Sequence, residues 1–591
     1  MNKKIKNSSV SLESNNFIKN IIKKDIIKKT FNNRYDKYGN KLPQVITRFA
    51  PEPNGYLHIG HAKSIFINFE LAYKYNGLCN LRFDDTNPLK ENKEYVNSII
   101  KTIKWLNFNW DKVKKRIYYA SDYFDILYKI AEYLIISGDA YVDSQNTEEI
   151  YINRGNLHEP GRNSPFYNRL PSESLNLFRR MRSGEFKDGA HVLRVKINMK
   201  SKNINMRDPI IYRIRHVNHY RTNNNWCIYP MYDYAHPISD AIENITHSIC
   251  TLEFQDHRPF YEWILNKIDK TNFIKRPFPK QYEFSRLNLT HTITSKRKLL
   301  KLLEKKIVDG WDDPRMPTLI GMRRRGYTPE SIKLFCKRIG VSKSDSWINI
   351  EILEQALRDD LNIKAPRIMA VLNPIKLIIS NFLDNQEIEC TAPLFSRQHT
   401  QYKEKLRYFP ISKILWIERD DFMEIPTKKY FRLYPPIGKN SGNRVRLRYG
   451  YVVECTGFKK NKNNEVVEVY CKYFPDSKSG TKLSSNYKVK GNIHWISKSH
   501  ALSIEARLYD RLFIDPYPNI VNNKDFKLLI NPNSKKVISA YLEPNLKLIF
   551  PKKHAQFERH GYFILDDIDS NNNKIIFNQS VELKNKWKKM M

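Results

Sequence analysis

The chain has 591 residues, enough for several domains, and its 41% hydrophobic and 13% aromatic content is that of a globular protein rather than a disordered one. No apolar run approaches the ~20 residues of a membrane span, and the seven cysteines are scattered without a Cys-x-x-Cys pair, which excludes a zinc knuckle or a disulfide framework and fits a reducing compartment. The formal net charge of +39, from 101 Lys and Arg against 62 Asp and Glu, points to a polyanionic partner, although Lys, Asn, Ile and Tyr are abundant throughout and compositional drift accounts for part of the excess.

The start, Met1 to Lys6, is basic but has neither an apolar signal core nor an arginine-rich amphipathic stretch, so a cytoplasmic protein is expected. A helix is expected from Phe17. Val45-Ile46-Thr47 reads as a short buried strand. It runs into Arg48-Phe49-Ala50-Pro51-Glu52-Pro53-Asn54-Gly55-Tyr56-Leu57-His58-Ile59-Gly60-His61-Ala62-Lys63-Ser64, and then into Ile65, Phe66, Phe69, Ala72 and Tyr73 at helical spacing. A Pro/Gly-rich turn therefore joins strand to helix, with two histidines three apart at the helix start. A helix N-terminus offers free N–H groups and positive potential to a phosphate. Gly60 leaves room for a flat base against the backbone. His58 and His61 can donate to oxygens that gain charge in phosphoryl or nucleotidyl chemistry.

Leu78 to Phe83 reads as a second buried strand, followed by Asp84 and Asp85 at the carboxyl end, where such sheets bind ligands. From Tyr123 to Asn225 the pattern changes to α+β. Pro160 to Pro165 is loop-like, and Val192 to Ile197 alternates like a half-exposed strand. The nucleotide pattern resumes near Tyr229 and includes an apolar strand from His247 to Phe254. Leu299 to Asp360 is mostly helical, with basic Arg323-Arg324-Arg325 and Lys337-Arg338. From Leu361 short alternating strands, such as Val445 to Val453, are separated by Gly, Asn and Pro turns, which suggests β-barrels, with an exposed loop from Tyr434 to Asn443.

The His-Ile-Gly-His tetrapeptide resembles the signature of class I aminoacyl-tRNA synthetases, and Pro51 to Ser64 resembles the form found in glutaminyl-tRNA synthetases. Asn80 to Pro88, Trp226 to Asp233, Cys250 to Asp256, Tyr282 to Asn288 and Trp311 to Thr318 are similar to that family as well, in order, from about Phe17 to near the C-terminus. The resemblance implies an α/β chain: a Rossmann-type doubly wound nucleotide-binding domain with an α+β acceptor-binding insertion, a helical subdomain and two C-terminal β-barrels that read the anticodon. The expected boundaries are 1–44 for an extension, 45–122 and 229–298 for the two catalytic halves, 123–228 for the insertion, 299–360 for the helices and 361–591 for the barrels. The implied reaction is ATP-dependent ligation of L-glutamine to the 3' end of tRNA(Gln) through a glutaminyl-adenylate, with Mg²⁺ accompanying ATP, no metal held by the protein, and a monomer expected. A glutamyl-tRNA synthetase, a non-catalytic tRNA-binding paralogue and a small-molecule adenylating enzyme are the rival readings.

Residue by residue, the resemblance gives His58, His61 and Lys296 to catalysis. The ATP-binding set is Glu52, Pro53, Asn54, His58, Ile59, Gly60, His61, Ala62, Lys63, Ser64, Thr251, Arg286, Leu287, Thr294, Ser295 and Lys296, with Lys63 and Ser64 extending the phosphate-facing end. Lys296 closes a second signature, Ile293-Thr294-Ser295-Lys296-Arg297, on the leaving diphosphate. Thr294 stands where the family carries Met, which puts the order of that loop in question. Arg48, Asp84 and Tyr232 are the implied glutamine-binding residues, Asp84 pairing with the α-ammonium and Tyr232 with the side-chain amide. Cys250 and Gln281 are the neutral specificity framework; related glutamate enzymes carry arginine at the Cys250 position. For tRNA, the resemblance gives Leu157 as an acceptor-end wedge and Asp256 as a carboxylate facing a guanine amino group. It gives Arg367, Arg432, Arg448, Gln556 and Arg559 to unstacked anticodon bases. Lys429 and Phe431 depart from the family's usual Gln and Lys.

Overall fold

The computed structural model describes residues 16–36, 38–108, 116–396, 398, 404–518, 526–550 and 553–584. Met1–Lys6 and Trp110 lie outside the described residues. The chain divides into two compact units, residues 1–289 with 336–348, and residues 290–335 with 349–591.

In the first unit, helix α1 (Phe17–Ile27) is capped by the Asn16 side chain, which accepts from the Ile18 N–H, and buries Ile18 and Ile22 in a core with Val45, Ile67, Leu71, Ile249 and Phe284. Strand β1 (Ile46–Phe49) is buried at all four residues, as a parallel strand covered on both faces must be. Helix α2 (Ile59–Lys74) returns the chain to β2 (Leu78–Phe83), which pairs parallel to β1 with Arg48 opposite Asn80. Helix α3 (Lys93–Trp105), capped by Asn92, repeats the step into β3 (Ile117–Tyr119).

The insertion follows with α4 (Phe124–Ile136), β4 (Ala140–Asp143), α5 (Thr147–Arg154), α6 (Pro171–Ser183), β5 (Val192–Val195), β6 (Ile210–Ile214) and β7 (Ile228–Pro230), whose pairing with β6 carries the sheet two residues past the expected boundary at 228, and α7 (Tyr232–Ile242) comes next. Its four strands form one antiparallel sheet in sequence order, and Leu127, Ile130, Leu134, Phe178, Met181, Leu193 and Tyr212 fill the core. Strand β5 is more buried than its alternation suggests. Arg194, polar in the pattern, is buried because its guanidinium holds Asp143 (2.8 Å) and the Asp208 carbonyl (2.7 Å).

The nucleotide fold resumes in β8 (His247–Thr251), α8 (Arg258–Lys267) and β9 (Lys280–Phe284), with β8 and β9 parallel. Thr246 donates its N–H to the Ile46 carbonyl (2.9 Å) and accepts from the Ile46 N–H (2.8 Å), which lays the start of β8 beside the start of β1. The expected strand to Phe254 stops at Thr251. Residues 252–257 wind into a 3-10 helix that leads into α8, whose first turn holds Pro259.

The second unit opens with helices α9 (Lys296–Glu304), α10 (Leu319–Arg325) and α11 (Ile350–Lys364). Two seven-stranded sheets follow, each nearly closed. The first runs in the order Gly491–Ile493, Arg444–Leu447, Val452–Lys460, Val466–Tyr473, Pro374–Ile379, Ile414–Glu418 and Trp495–Ser497; its two end strands are separated in sequence only by His494. The second begins with Arg367–Ile368 and ends with Ala370–Val371, on either side of Met369. The expected strand from Val445 to Val453 is instead a hairpin, because Tyr449 adopts φ +63° and Gly450 completes the turn. No helix among the described residues is long and apolar enough to cross a membrane.

Candidate active site and nucleic-acid interface

The turn between β1 and α2 fixes both histidines. His58 is the N-cap: the Gly60 N–H donates to its Nδ1 (3.1 Å), while the His58 N–H donates to Nδ1 of His61 (3.1 Å). Each Nδ1 accepts, so each neutral ring carries its proton on Nε2. Burial pushes His61 down to about 4 and, with His61 and Arg286 adding to it, holds His58 well below the ordinary histidine range. The rings lie 3.9 Å apart between centroids. The helix start therefore presents two neutral Nε2–H donors, locked by its own capping hydrogen bonds. Gly60 is required by this arrangement, since a Cβ there would stand 2.8 Å from Cε1 of His58. Pro53, Ile59, Ala62 and Leu287 are buried. Asn54 donates to Glu52 (2.5 Å) at the rim, and Ser64 is half-buried on the second turn of α2.

Lys63 does not extend the phosphate-facing end as expected. Its ammonium is buried on the Ser285 carbonyl (2.7 Å), and burial lowers it to about 8. It ties α2 to the segment after β9 instead. Beside that segment Thr251 donates to Glu253 (2.7 Å), and exposed Arg286 approaches the same carboxylate (3.4 Å). Arg286 also lies close enough to His58 to disfavour its protonation.

At the end of β2, Asp84 is only 3% exposed. Its Oδ1 accepts from Arg82 (2.7 Å), while its Oδ2 is buried with no hydrogen-bond partner. A buried carboxylate oxygen left unpaired costs free energy that a cationic ligand would recover. Tyr232, at the start of α7, is held far above its ordinary range by burial and by the negative charge of Asp84. Arg48 does not reach outward. Its guanidinium is committed to Asp240 (3.1 Å), the Ile249 carbonyl (2.9 Å) and His236, and Tyr232 stacks on His236 at 5.1 Å. Arg48 thus braces the pocket from behind. Gln281 is likewise a brace: its amide donates to the Phe254 carbonyl (2.9 Å) and to Glu283 (3.0 Å), which also pairs with Arg258. Cys250 is buried nearby, its thiol raised by burial.

Two further acids lie near Asp84: Asp85, its neighbour at the end of β2, and Glu91, which the sequence does not single out. Asp85 accepts from the Ser121 N–H (2.8 Å) and hydroxyl (2.7 Å) and from Tyr220 (3.0 Å), yet burial raises it to about 7. Glu91 accepts from the Asn87 N–H (2.8 Å), and burial, with Glu52 and Asp84 adding to it, raises it to about 8. The unfolded chain ionises Glu91 above its ordinary 4.5, whereas the folded chain keeps the proton until about 8, so this group costs stability progressively as pH rises between those values. Glu91→Gln cannot ionise. Its melting temperature will match the parent near pH 5 and exceed it by several degrees at pH 8; thermal melts across that range check the sign.

In the insertion, Leu157 is 78% exposed at the tip of a loop after α5. Buried Arg207 shapes that loop by donating to the carbonyls of Arg154 (2.8 Å), Asn156 (2.9 Å) and Glu159 (2.9 Å), a role nothing in the local sequence signals. Asp256 is exposed, and its carbonyl accepts from Asn203 (2.7 Å).

In the second unit, half-buried Thr294 precedes Ser295, the N-cap residue of α9, and Lys296 is the first helical residue, both exposed. Lys296, Arg297 and Lys298 fill a first turn that contains no acid. Cations at a helix N-terminus oppose the helix dipole. This start suits a polyanion that accepts from both the cations and the free N–H groups. In the barrels the five candidates fall into neighbouring groups. Arg367 and Gln556 are register partners on adjacent strands. Arg432 (3.0 Å) and Arg559 (2.6 Å) share Asp421, and Arg448 pairs with Glu558.

Residues 44–363 match the family model described as tRNA synthetases class I (E and Q), catalytic domain; residues 365–474 and 492–566 match models of the anti-codon binding domain of the same class. The chain is 57% identical over 588 residues to the glutamine–tRNA ligase of Polynucleobacter necessarius, covering 98% of each. It is 56% identical over 580 residues to that of Cupriavidus metallidurans, again 98% of each, and 56% identical over 575 residues to that of Nitrosomonas europaea, 97% of this chain and 98% of the relative.

Proposed function

Because the chain belongs to the glutamine–tRNA ligase family of class I tRNA synthetases, we propose a division of labour among its residues for joining glutamine to tRNA. The glutamine carboxylate attacks the α-phosphate of ATP, diphosphate leaves, and the terminal ribose of tRNA(Gln) then displaces AMP from the adenylate. Charge builds on the phosphate oxygens in the first step. His58 and His61 donate their Nε2–H groups to those oxygens, and Arg286 adds positive potential beside them. The backbone of the turn from Glu52 to Ser64, together with Thr251 and Leu287, holds the nucleotide. Thr294, Ser295 and Lys296 take the diphosphate. Mg²⁺ accompanying ATP would supply charge neutralisation to its phosphates.

Asp84 takes the α-ammonium of glutamine on its unpaired Oδ2, Tyr232 meets the side-chain amide, and Arg48, Cys250 and Gln281 shape the pocket. Leu157 and Asp256 engage the acceptor end, and the arginines of the barrels with Gln556 engage the anticodon. The observation that carries this reading is the pair of Nε2–H donors fixed at the start of α2 by their own Nδ1 atoms. The test is charging of total tRNA with labelled glutamine and, separately, labelled glutamate. Glutamine will be incorporated in an ATP-dependent manner and glutamate will stay near background. Incorporation of glutamate alone would overturn the reading.

A further inference from the structure

A chain of polar contacts in the second unit has no part in the reaction as described. Residues 558–560 form the turn between strands His554–Phe557 and Gly561–Leu565 of the second barrel, with Arg559 at φ +71°. A Cβ at Gly561 would stand 2.6 Å from the Val581 carbonyl oxygen, which fixes the end of that turn. The three consecutive side chains all reach into the first barrel. Glu558 accepts from Arg407 (2.6 Å), from Tyr449 (3.1 Å) and from Arg448. Arg559 donates to both oxygens of Asp421 (2.6 and 2.7 Å) and contacts Nδ1 of His494 (3.1 Å). His560 Nε2 meets Glu418 Oε1 at 2.9 Å.

His494 is fully buried and sits at the seam where the first barrel closes, between Gly491–Ile493 and Trp495–Ser497. A guanidinium can only donate, so Nδ1 of His494 accepts from Arg559. The ring proton is then on Nε2 and points to Glu418 Oε1 (3.3 Å). Glu418 is itself held by the N–H groups of Leu372 (2.6 Å) and Asn373 (3.0 Å). Glu418, His494 and His560 stand close enough together to ligate an ion, with their ligand atoms within 4.8 Å of one another. The contact at Nδ1 argues against that use, because Nε2 has no lone pair left to give a metal. The group is a hydrogen-bond relay that ends on Arg559.

We propose that His494 and Glu418 are positioning residues for anticodon recognition: Glu418 orients the His494 ring, and His494 together with Asp421 sets the guanidinium of Arg559 beside that of Arg432. The inference rests on the reading that gives Arg432 and Arg559 to anticodon bases. An arginine that reads a base edge discriminates only if its planar fork is held at the right angle. Asp421 fixes two of its nitrogens, and the His494 contact removes the remaining swing about that pair.

The experiment measures kcat/KM for glutamine charging on tRNA(Gln) and on the same tRNA with one anticodon base changed, and takes the ratio. His494→Phe fills the seam but offers no acceptor. The ratio will fall about tenfold, through a higher KM for the cognate tRNA, with kcat at saturating tRNA and KM for glutamine unchanged. His494→Asn, which keeps an acceptor near the Nδ1 position, will restore most of the ratio. A structural role alone would instead lower both tRNA values together. If His494→Phe does not fold, Glu418→Met, which removes the acceptor for the His494 Nε2–H at similar volume, reads the same ratio, and an unchanged ratio there overturns the proposal. Arg432→Gln and Arg559→Gln separate the two layers. If they lose the ratio while His494→Phe keeps it, the positioning role is wrong. If they keep it too, the anticodon reading itself is wrong.

Discussion

His61→Ala and His58→Ala will each slow glutamine-dependent release of diphosphate, measured with tRNA present, by about ten- to a thousandfold, and leave tRNA affinity nearly intact. Each substitution removes an Nε2–H donor that is strongest in the transition state, when charge has moved onto the phosphate oxygens. The two variants differ in their side effects. His58 caps α2 through the Gly60 N–H, so His58→Ala gives up about 1 kcal/mol of stability as well, while His61→Ala loses only the reciprocal bond from the His58 N–H. His58→Asn separates the two roles, because asparagine caps a helix well but cannot reach with an Nε2–H. Its melting temperature will stay near the parent's while its turnover falls as far as that of His58→Ala. Full turnover in folded His58→Ala and His61→Ala would remove both rings from the chemistry.

The strand–turn–helix frame around these histidines was legible because its signals are local: an apolar triplet, a Pro/Gly turn, and apolar residues at helical spacing. The barrels were legible as short alternating strands between turn residues. What escaped the sequence was set by partners far along the chain. Lys63 looks like a phosphate-facing cation until Ser285, 222 residues away, takes its ammonium. Arg48 looks like a ligand-binding arginine until Asp240 and His236 claim it. Asp85 was legible beside Asp84 as an acid at a strand end, but its raised proton affinity, and Glu91 altogether, could not be found from residue type, since the shifts come from burial. The hairpin at Tyr449 was missed because a non-glycine residue in left-handed conformation leaves no mark in the pattern. The clasp of Glu558, Arg559 and His560 is three polar residues in a row, which as local sequence is indistinguishable from a solvated turn.

Discrimination between glutamine and glutamate has to come from charge, because the two side chains are nearly the same size. Among the described residues the arginines around the amino-acid pocket are each paired with acids, Arg48 with Asp240, Arg258 with Glu283, and Arg82 with Asp84 and Asp240, with Nη2 of Arg82 buried but not hydrogen-bonded. Cys250 and Gln281 are neutral, and the Gln281 amide spends its donors on the Phe254 carbonyl and Glu283. A glutamate carboxylate entering this pocket would be desolvated beside Tyr232 without a counter-charge, which costs several kcal/mol. Glutamine will therefore be preferred by about a thousandfold or more in kcat/KM. Cys250→Arg places a guanidinium on β8 close to that carboxylate and will raise kcat/KM for glutamate by about tenfold. The gain stays partial because Glu283 competes for the new cation and Arg48 repels it, and glutamine use will fall in the same variant. Paired kcat/KM measurements with the two amino acids on purified tRNA decide the matter. A parent enzyme that used glutamate as well as glutamine would show that the pocket's neutrality is not what selects the substrate.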